Sequence, residues 1–298
     1  VTTHTAVLDI GGTHVTAALV DHGTWTTVAG SRSRLALDPS ASSTELIRII
    51  ATALSTVEPL AGVRVGVAIP GPFDYERGIG DFRGVDKFTS LRGVDVGAAL
   101  TQALSSPPDR FVFLNDAAAY GIGEYRRGAL AGHRRGVALT LGTGIGSAFV
   151  ADGTVVTTGP DVPPAGRADL LSLDGQQLEH VVSQRALLAE YHRLSGQRVG
   201  DVATLAALAW TGDHAAAEAF AGPLTALGLA LAPWLARFDA QALVLGGGIA
   251  AAHDLIVGPL RTGLGRDHPQ LQTLPILRSD DPEQSVEVGA AWHAWHPE

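Results

Sequence analysis

Apolar positions alternate with small polar ones in a segment that occurs twice, Leu8-Asp9-Ile10-Gly11-Gly12-Thr13 and Leu139-Thr140-Leu141-Gly142-Thr143-Gly144. Each copy turns at its glycines and returns through a second apolar run, Thr16 to Asp21 in one and Ser147 to Asp152 in the other. Setting Leu8 against Leu139 also sets Gly11 against Gly142 and Asp21 against Asp152, which predicts two related domains facing each other. One reading is plain hairpin architecture, because glycine turns tightly at little steric cost. The other is a phosphate cradle: without Cβ, backbone N–H groups approach phosphate oxygens closely, and a Thr hydroxyl adds a donor. Duplication in register favours the cradle.

The rest of the pattern predicts an alternation of strands and helices. Ser42-Ser43-Thr44-Glu45 reads as a capping box, and a helix through about Val57 would turn Leu46, Ile49, Ile50 and Leu54 to a core. Val63, Val65, Val67 and Ile69 alternate as a strand that Pro70-Gly71-Pro72 stops. Phe111 to Leu114 is a short buried strand delivering Asn115-Asp116 to an alanine-rich helix that reaches about Glu124. After a poorly patterned stretch from Thr157 to Gln177, helices are predicted from Leu178 to Leu194 and from about Ala215 to Arg237. Strand Ala242 to Leu245 runs into Gly246-Gly247-Gly248, which opens another helix, and a last helix covers Val286 to Trp295.

Composition narrows the field. The 298 residues suffice for two lobes with cores of their own, and 46% hydrophobic with 17% charged residues is an ordinary globular balance. A net charge of -9 argues against nucleic acid or anionic membranes as partners. There is no cysteine, hence no disulfide, no thiolate metal site and no cysteine nucleophile. No basic-then-apolar leader precedes the first glycine turn, so a cytoplasmic location is expected. Ala219 to Ala236 lacks charge over nearly a membrane-spanning length, but Pro223, Thr225 and Pro233 make a buried helix the better reading.

Four polar or glycine signals thus sit at strand ends: Asp9 to Thr13, Asn115-Asp116, Gly142 to Gly144, and Gly246 to Gly248. With Gly71-Pro72-Phe73-Asp74-Tyr75, Leu141-Gly142-Thr143-Gly144-Ile145-Gly146-Ser147 and Leu245 to Ile249, their order and spacing resemble the ROK family of sugar kinases in the actin-like ATPase superfamily. The resemblance runs along nearly the whole chain. It implies an α/β, two-lobed actin-like ATPase (ribonuclease H-like) fold, each lobe a mixed sheet with flanking helices. Residues 1–115 plus 284–298 would form the smaller lobe and 116–283 the larger. It implies a hexose or aminohexose as substrate, a cytoplasmic homodimer, and lobes that close on the sugar to exclude water.

By the same resemblance, Gly11, Gly12 and Thr13 would bind the terminal phosphates of ATP, Gly142, Thr143 and Gly144 would meet them, and Gly246, Gly247 and Gly248 would admit the adenosine. Asp9 would partner Mg²⁺, through water, since Mg²⁺ is hard and keeps part of its hydration shell; a strand-end carboxylate capping a turn is the alternative. Asp116 matches the family's catalytic base, which takes the proton of the attacking hydroxyl. Asn115 and Asp116 could instead only cap the following helix. Asn115, Gly71 and Glu179 would contact the sugar, although Glu179 also suits the first turn of a helix on dipole grounds.

The chain departs from the family between Pro160 and Glu179. Members with a Glu-x-Gly-His element and a cysteine-rich zinc loop are matched here only by Pro164-Ala165-Gly166-Arg167, with no cysteine, so no zinc site is expected and something else must order the loop. Arg167, with Asp161 and Asp169, is a candidate replacement sugar contact, each also readable as a solvated loop charge. Lys87, after Arg83, could approach phosphate or sugar, but a solvated loop is the more economical account. The expected activity is ATP-dependent phosphorylation of the C6 hydroxyl of glucose or a glucose-like sugar. Alternatives are a kanosamine-type aminoglucose 6-kinase, a polyphosphate-using glucokinase, and a non-catalytic sugar sensor or repressor. The repressors carry a helix-turn-helix segment ahead of this body, for which the glycine turn at Asp9 leaves no room.

Overall fold

The computed structural model describes residues 3–57, 60 and 62–296. By internal contact the chain divides into two compact units, 1–127 with 283–298, and 128–282.

The first unit is built on a six-stranded mixed sheet in the order β3-β2-β1-β5-β8, with β4 also on β2. Its elements are β1 (His4–Ile10), β2 (His14–Asp21), β3 (Thr26–Thr27), β4 (Ser33–Ala36), α1 (Ser43–Leu54) and β5 (Arg64–Ile69). A small hairpin, β6 (Phe73–Asp74) and β7 (Ile79–Gly80), precedes α2 (Val96–Ala103), β8 (Arg110–Asn115) and α3 (Asp116–Arg126). The predicted cap of α1 forms on one side only. Ser42 Oγ accepts from the Glu45 N–H at 3.3 Å, while the Glu45 carboxylate turns to Arg48. Leu46, Ile50 and Leu54 are buried as expected. β5 is buried at every position from Val65 to Ile69, not alternately, because it lies between β1 and β8 in the sheet and is covered by helix.

The second unit repeats the plan. Its sheet runs β11-β10-β9-β14-β15, with β9 (Arg135–Leu141), β10 (Ile145–Ala151), β11 (Thr154–Val155), β14 (Ala242–Gly246) and β15 (Ile276–Arg278). Between β11 and β14 come a hairpin, β12 (Ser172–Leu173) and β13 (Gln176–Gln177), then α4 (Leu178–Val181), α5 (Gln184–Ser195), α6 (Val202–Trp210) and α7 (His214–Arg237). α8 (His253–Gly265) follows β14. The single helix expected over Leu178–Leu194 is broken at Val182-Ser183. Ser183 caps α5 through the Ala186 N–H, and the Gln184 N–H is drawn to the Gly142 carbonyl at 2.9 Å. α7 is long and apolar enough to span a membrane by composition, yet Phe220, Leu224, Leu227, Leu231 and Leu235 lie in the core of this unit.

α9 (Pro282–Trp295) returns to the first unit. The break between units lies after Arg127, not after Asn115 as expected from the sequence, so α3 and Asp116 stay with the first unit. The cause is backbone contact between α3 and α9. A Cβ on Gly289 would fall 1.8 Å from the Ala119 carbonyl oxygen, and one on Gly123 equally close to that of Ser285. Gly66 of β5 meets the Ala290 carbonyl in the same way at 2.2 Å. Buried Glu287 of α9 takes two hydrogen bonds from Arg32, and Ser285 donates to buried Glu124.

No side chain can be added at the α3/α9 crossing without parting the two helices. Gly289→Ala should therefore cost about 2–3 kcal/mol by overpacking, read as a lower urea midpoint, whereas Gly132→Ala, with open space around its Cβ position, reports only the cost of its positive φ.

Candidate active site

In the first unit, strands β1, β5 and β8 are parallel, so their carboxyl ends share one sheet edge. Asp9 is level with Ala68, Ala68 with Leu114, and Ile69 with Asn115. Three loops therefore leave the sheet side by side: Gly11-Gly12-Thr13, Pro70-Gly71-Pro72, and Asn115-Asp116. Parallel sheets bind ligands at this edge because the helix N-termini and the loops converge there.

Asn115 is the N-cap of α3, with Oδ1 accepting from the N–H groups of Ala117 at 3.0 Å and Ala118 at 3.2 Å. The cap alternative is thus taken by Asn115, and Asp116 is left at the first helical position with Oδ1 2.9 Å from the Ala117 N–H. Asn115 Nδ2 donates to Tyr75 Oη at 3.1 Å, and Tyr75 in turn donates to the Ile69 carbonyl at 3.3 Å. Gly71 lies against the same phenol, since a Cβ there would be 3.1 Å from Tyr75 Oη. Tyr75 is a positioning residue that sequence reasoning did not single out. The aromatic in Gly71 to Tyr75 was its only signal.

Asp9 and Asp116 are half-exposed by area yet crowded by protein. Burial raises both carboxyls, and Asp9 is pushed up to about 7 as the charges of Asp116, Glu287 and Glu283 add to the burial; Arg34 opposes them. For Asp116 the Ala117 N–H, Lys87 and Asn115 offset part of the rise. Acidic neighbours crowd Asp9, and a carboxylate oxygen is the donor a hard divalent cation takes, so Asp9 fits Mg²⁺.

The second unit holds its own cluster. The Gly142–Gly144 turn closes through the Gly142 N–H to the Gly144 carbonyl at 3.0 Å. Glu179 of α4 lies directly against it, its carboxylate atoms 3.1–3.2 Å from a Cβ on Gly144. Gly246 ends β14 level with Thr140, which brings Gly247 and Gly248 beside the same turn. Gly247 has φ 84°, and a Cβ there would meet the Leu141 carbonyl at 2.4 Å; Gly248 faces Gln184 Nε2. Thr143 and Thr13 are both exposed at their turns.

Ser147 orders the loop that carries no cysteine. Its Oγ donates to the Gly166 carbonyl and accepts from the Ala168 N–H, both at 2.8 Å, with Val162 and Ala168 buried beneath. Arg167 is exposed and bound to Asp169 by two hydrogen bonds. Asp161 is exposed, 4.0 Å from Arg135.

The model of the ROK family matches residues 5–294 of this chain. A glucokinase of Thermotoga maritima is 31% identical over 278 residues, covering 85% of this chain and 84% of that one. Among solved structures, an inorganic polyphosphate/ATP-glucomannokinase from Arthrobacter sp. strain KM is 27% identical with a TM-score of 0.68, covering 99% of both chains. A ROK family glucokinase from Streptomyces griseus in complex with glucose and AMPPNP has a TM-score of 0.71 at 22% identity, covering 97% of this chain and 98% of that one. The fold is the actin-like ATPase fold of these kinases.

The Asp9 carboxyl also sets a pH dependence. Its pKa is about 7 in the folded chain against an ordinary 3.8. Between those values the folded form holds a proton that the unfolded form lacks, so stability falls as pH rises through the interval. Urea midpoints of the ligand-free protein should decline from pH 4 to pH 7, and Asp9→Asn should flatten that decline.

Proposed function

The chain belongs to the ROK family, and from that premise we propose that it is an ATP-dependent hexose kinase passing the γ-phosphoryl group to the C6 hydroxyl of glucose or a glucose-like sugar. The observation that carries this reading is the placing of Asp9, Asp116 and the Gly11–Thr13 turn at one edge of one sheet. Asp116, whose carboxyl burial raises above its ordinary pKa, accepts the proton of the attacking hydroxyl as the oxygen–phosphorus bond forms. ADP leaves as the bond to its β-phosphate breaks. The turn's N–H groups and the Thr13 hydroxyl hold the phosphates, and Asp9 would hold Mg²⁺. The ion supplies charge neutralisation to the phosphates. In the first unit Asn115 and Gly71 orient the sugar; in the second, Glu179 is the candidate sugar contact, and Gly142 to Gly144 and Gly246 to Gly248 serve the nucleotide. Membership of the family also supports a cytoplasmic homodimer.

Two observations favour variants of this reading. The Pro164–Arg167 element in place of the family's sugar loop supports an amino-modified glucose as acceptor. The 27% identity to a polyphosphate/ATP-glucomannokinase supports polyphosphate as a second donor.

The experiment is turnover of MgATP and polyphosphate with a panel of glucose, mannose and aminoglucoses. Asp116→Ala should lower kcat about 10³-fold with an unchanged circular dichroism spectrum. No phosphorylated hexose from the wild type, or an undiminished rate in the variant, refutes the assignment.

A further inference from the structure

Lys87 is exposed in a loop, as expected, and its side chain also lies along the first glycine turn. The segment is pinned on the C-terminal side of the lysine: Phe88 is fully buried against Phe82, and its N–H donates to the Pro39 carbonyl at 2.9 Å. Ser90 Oγ donates to the Ala41 carbonyl at 2.6 Å, and Leu91 is buried as well. The Phe88 backbone has φ 57°, a left-handed conformation uncommon for a bulky residue. So anchored, the Lys87 side chain lies along the glycine turn. A Cβ on Gly12 would be 3.3 Å from its Nζ, 3.4 Å from Cε and 3.5 Å from Cδ.

Its charge has consequences nearby. The ammonium is close enough to Asp116 to pull that carboxyl's pKa down against its burial. Arg83, the other cation early in this segment, is bonded to Asp81. A Cβ on Gly12 would press on the lysine stem, which would shift by a few tenths of an ångström.

Resting on the kinase reading above, we propose that Lys87 is a catalytic residue whose ammonium binds the terminal phosphoryl group at the Gly11–Thr13 turn and offsets its negative charge during transfer. A lysine is suited to this as a compact point charge with rotatable donors. The phosphoryl group carries its charge on three oxygens as it moves from the β-phosphate oxygen to the sugar oxygen, and Asp116 takes the displaced proton. Lys87 exchanges no proton with the substrate.

The test compares wild type, Lys87→Met, Lys87→Arg and Gly12→Ala by calorimetric titration with AMPPNP and with ADP, in Mg²⁺, and by sugar turnover. Lys87→Met should weaken AMPPNP about tenfold while leaving ADP within about twofold, and should lower kcat about 100-fold. Lys87→Arg should recover part of both, and Gly12→Ala should reproduce the loss of AMPPNP selectivity in weaker form. An AMPPNP-to-ADP affinity ratio unchanged in Lys87→Met overturns the proposal, as does equal weakening of both nucleotides. If Lys87→Met does not fold, Lys87→Arg with unaltered ratio and kcat alongside Gly12→Ala with unaltered ratio overturns it equally. Should the wild type phosphorylate no sugar while the ratio still depends on Lys87, the sugar-kinase reading fails and the phosphate contact stands.

Discussion

The register of three parallel strands is the constraint on which the candidate chemistry of the first unit rests. Because Asp9, Ala68 and Leu114 share one row, the loops after β1, β5 and β8 must leave the sheet together. A slip of one residue in any strand would turn its side chains to the opposite face and send Asp9 or Asn115 away from that edge. What holds the register is burial on both faces of β5, where any slip would expose apolar positions. The glycine contacts Gly66–Ala290, Gly123–Ser285 and Gly289–Ala119 fix the covering helices at backbone distance. Catalytic geometry and core packing are here one problem.

That arrangement holds charge where charge is disfavoured. Asp9 is crowded by Asp116, Glu287 and Glu283, with Arg34 as its compensation. Glu287 is itself neutralised by the bidentate Arg32, so its remaining effect on Asp9 is smaller than its bare charge suggests. Lys87 lies along the Gly12 turn at that edge and is exposed.

Elements with strong local periodicity could be read directly from the residues, and the fold class with them. The repeated hairpins, the Ser42 cap, the Phe111–Leu114 strand and the long α7 stand where the pattern put them. Short elements escaped: β15 has three residues, and α6 is uniformly apolar, so neither declares a period. The break before Ser183 was hidden because Gln184 is held by Gly142, a tertiary bond that no local pattern reports. Lys87 is the surface loop lysine that the sequence suggests, and only its approach to the distant turn at Gly12 was hidden. Tyr75 likewise gains its role from Asn115, forty positions away.

The loop without cysteines is tied down by a single hydroxyl, that of Ser147. A zinc site ties several backbone positions to one point and contributes binding free energy to folding. Ser147 ties only two, Gly166 and Ala168, but it does so from within β10, the strand that returns from the Gly142–Gly144 turn. Any movement of the loop is therefore coupled through one strand to that turn, and Glu179 lies against the same turn from α4. Loop identity and turn geometry are mechanically linked in this unit. A change of loop residues would then also be felt where Gly144 and Glu179 meet.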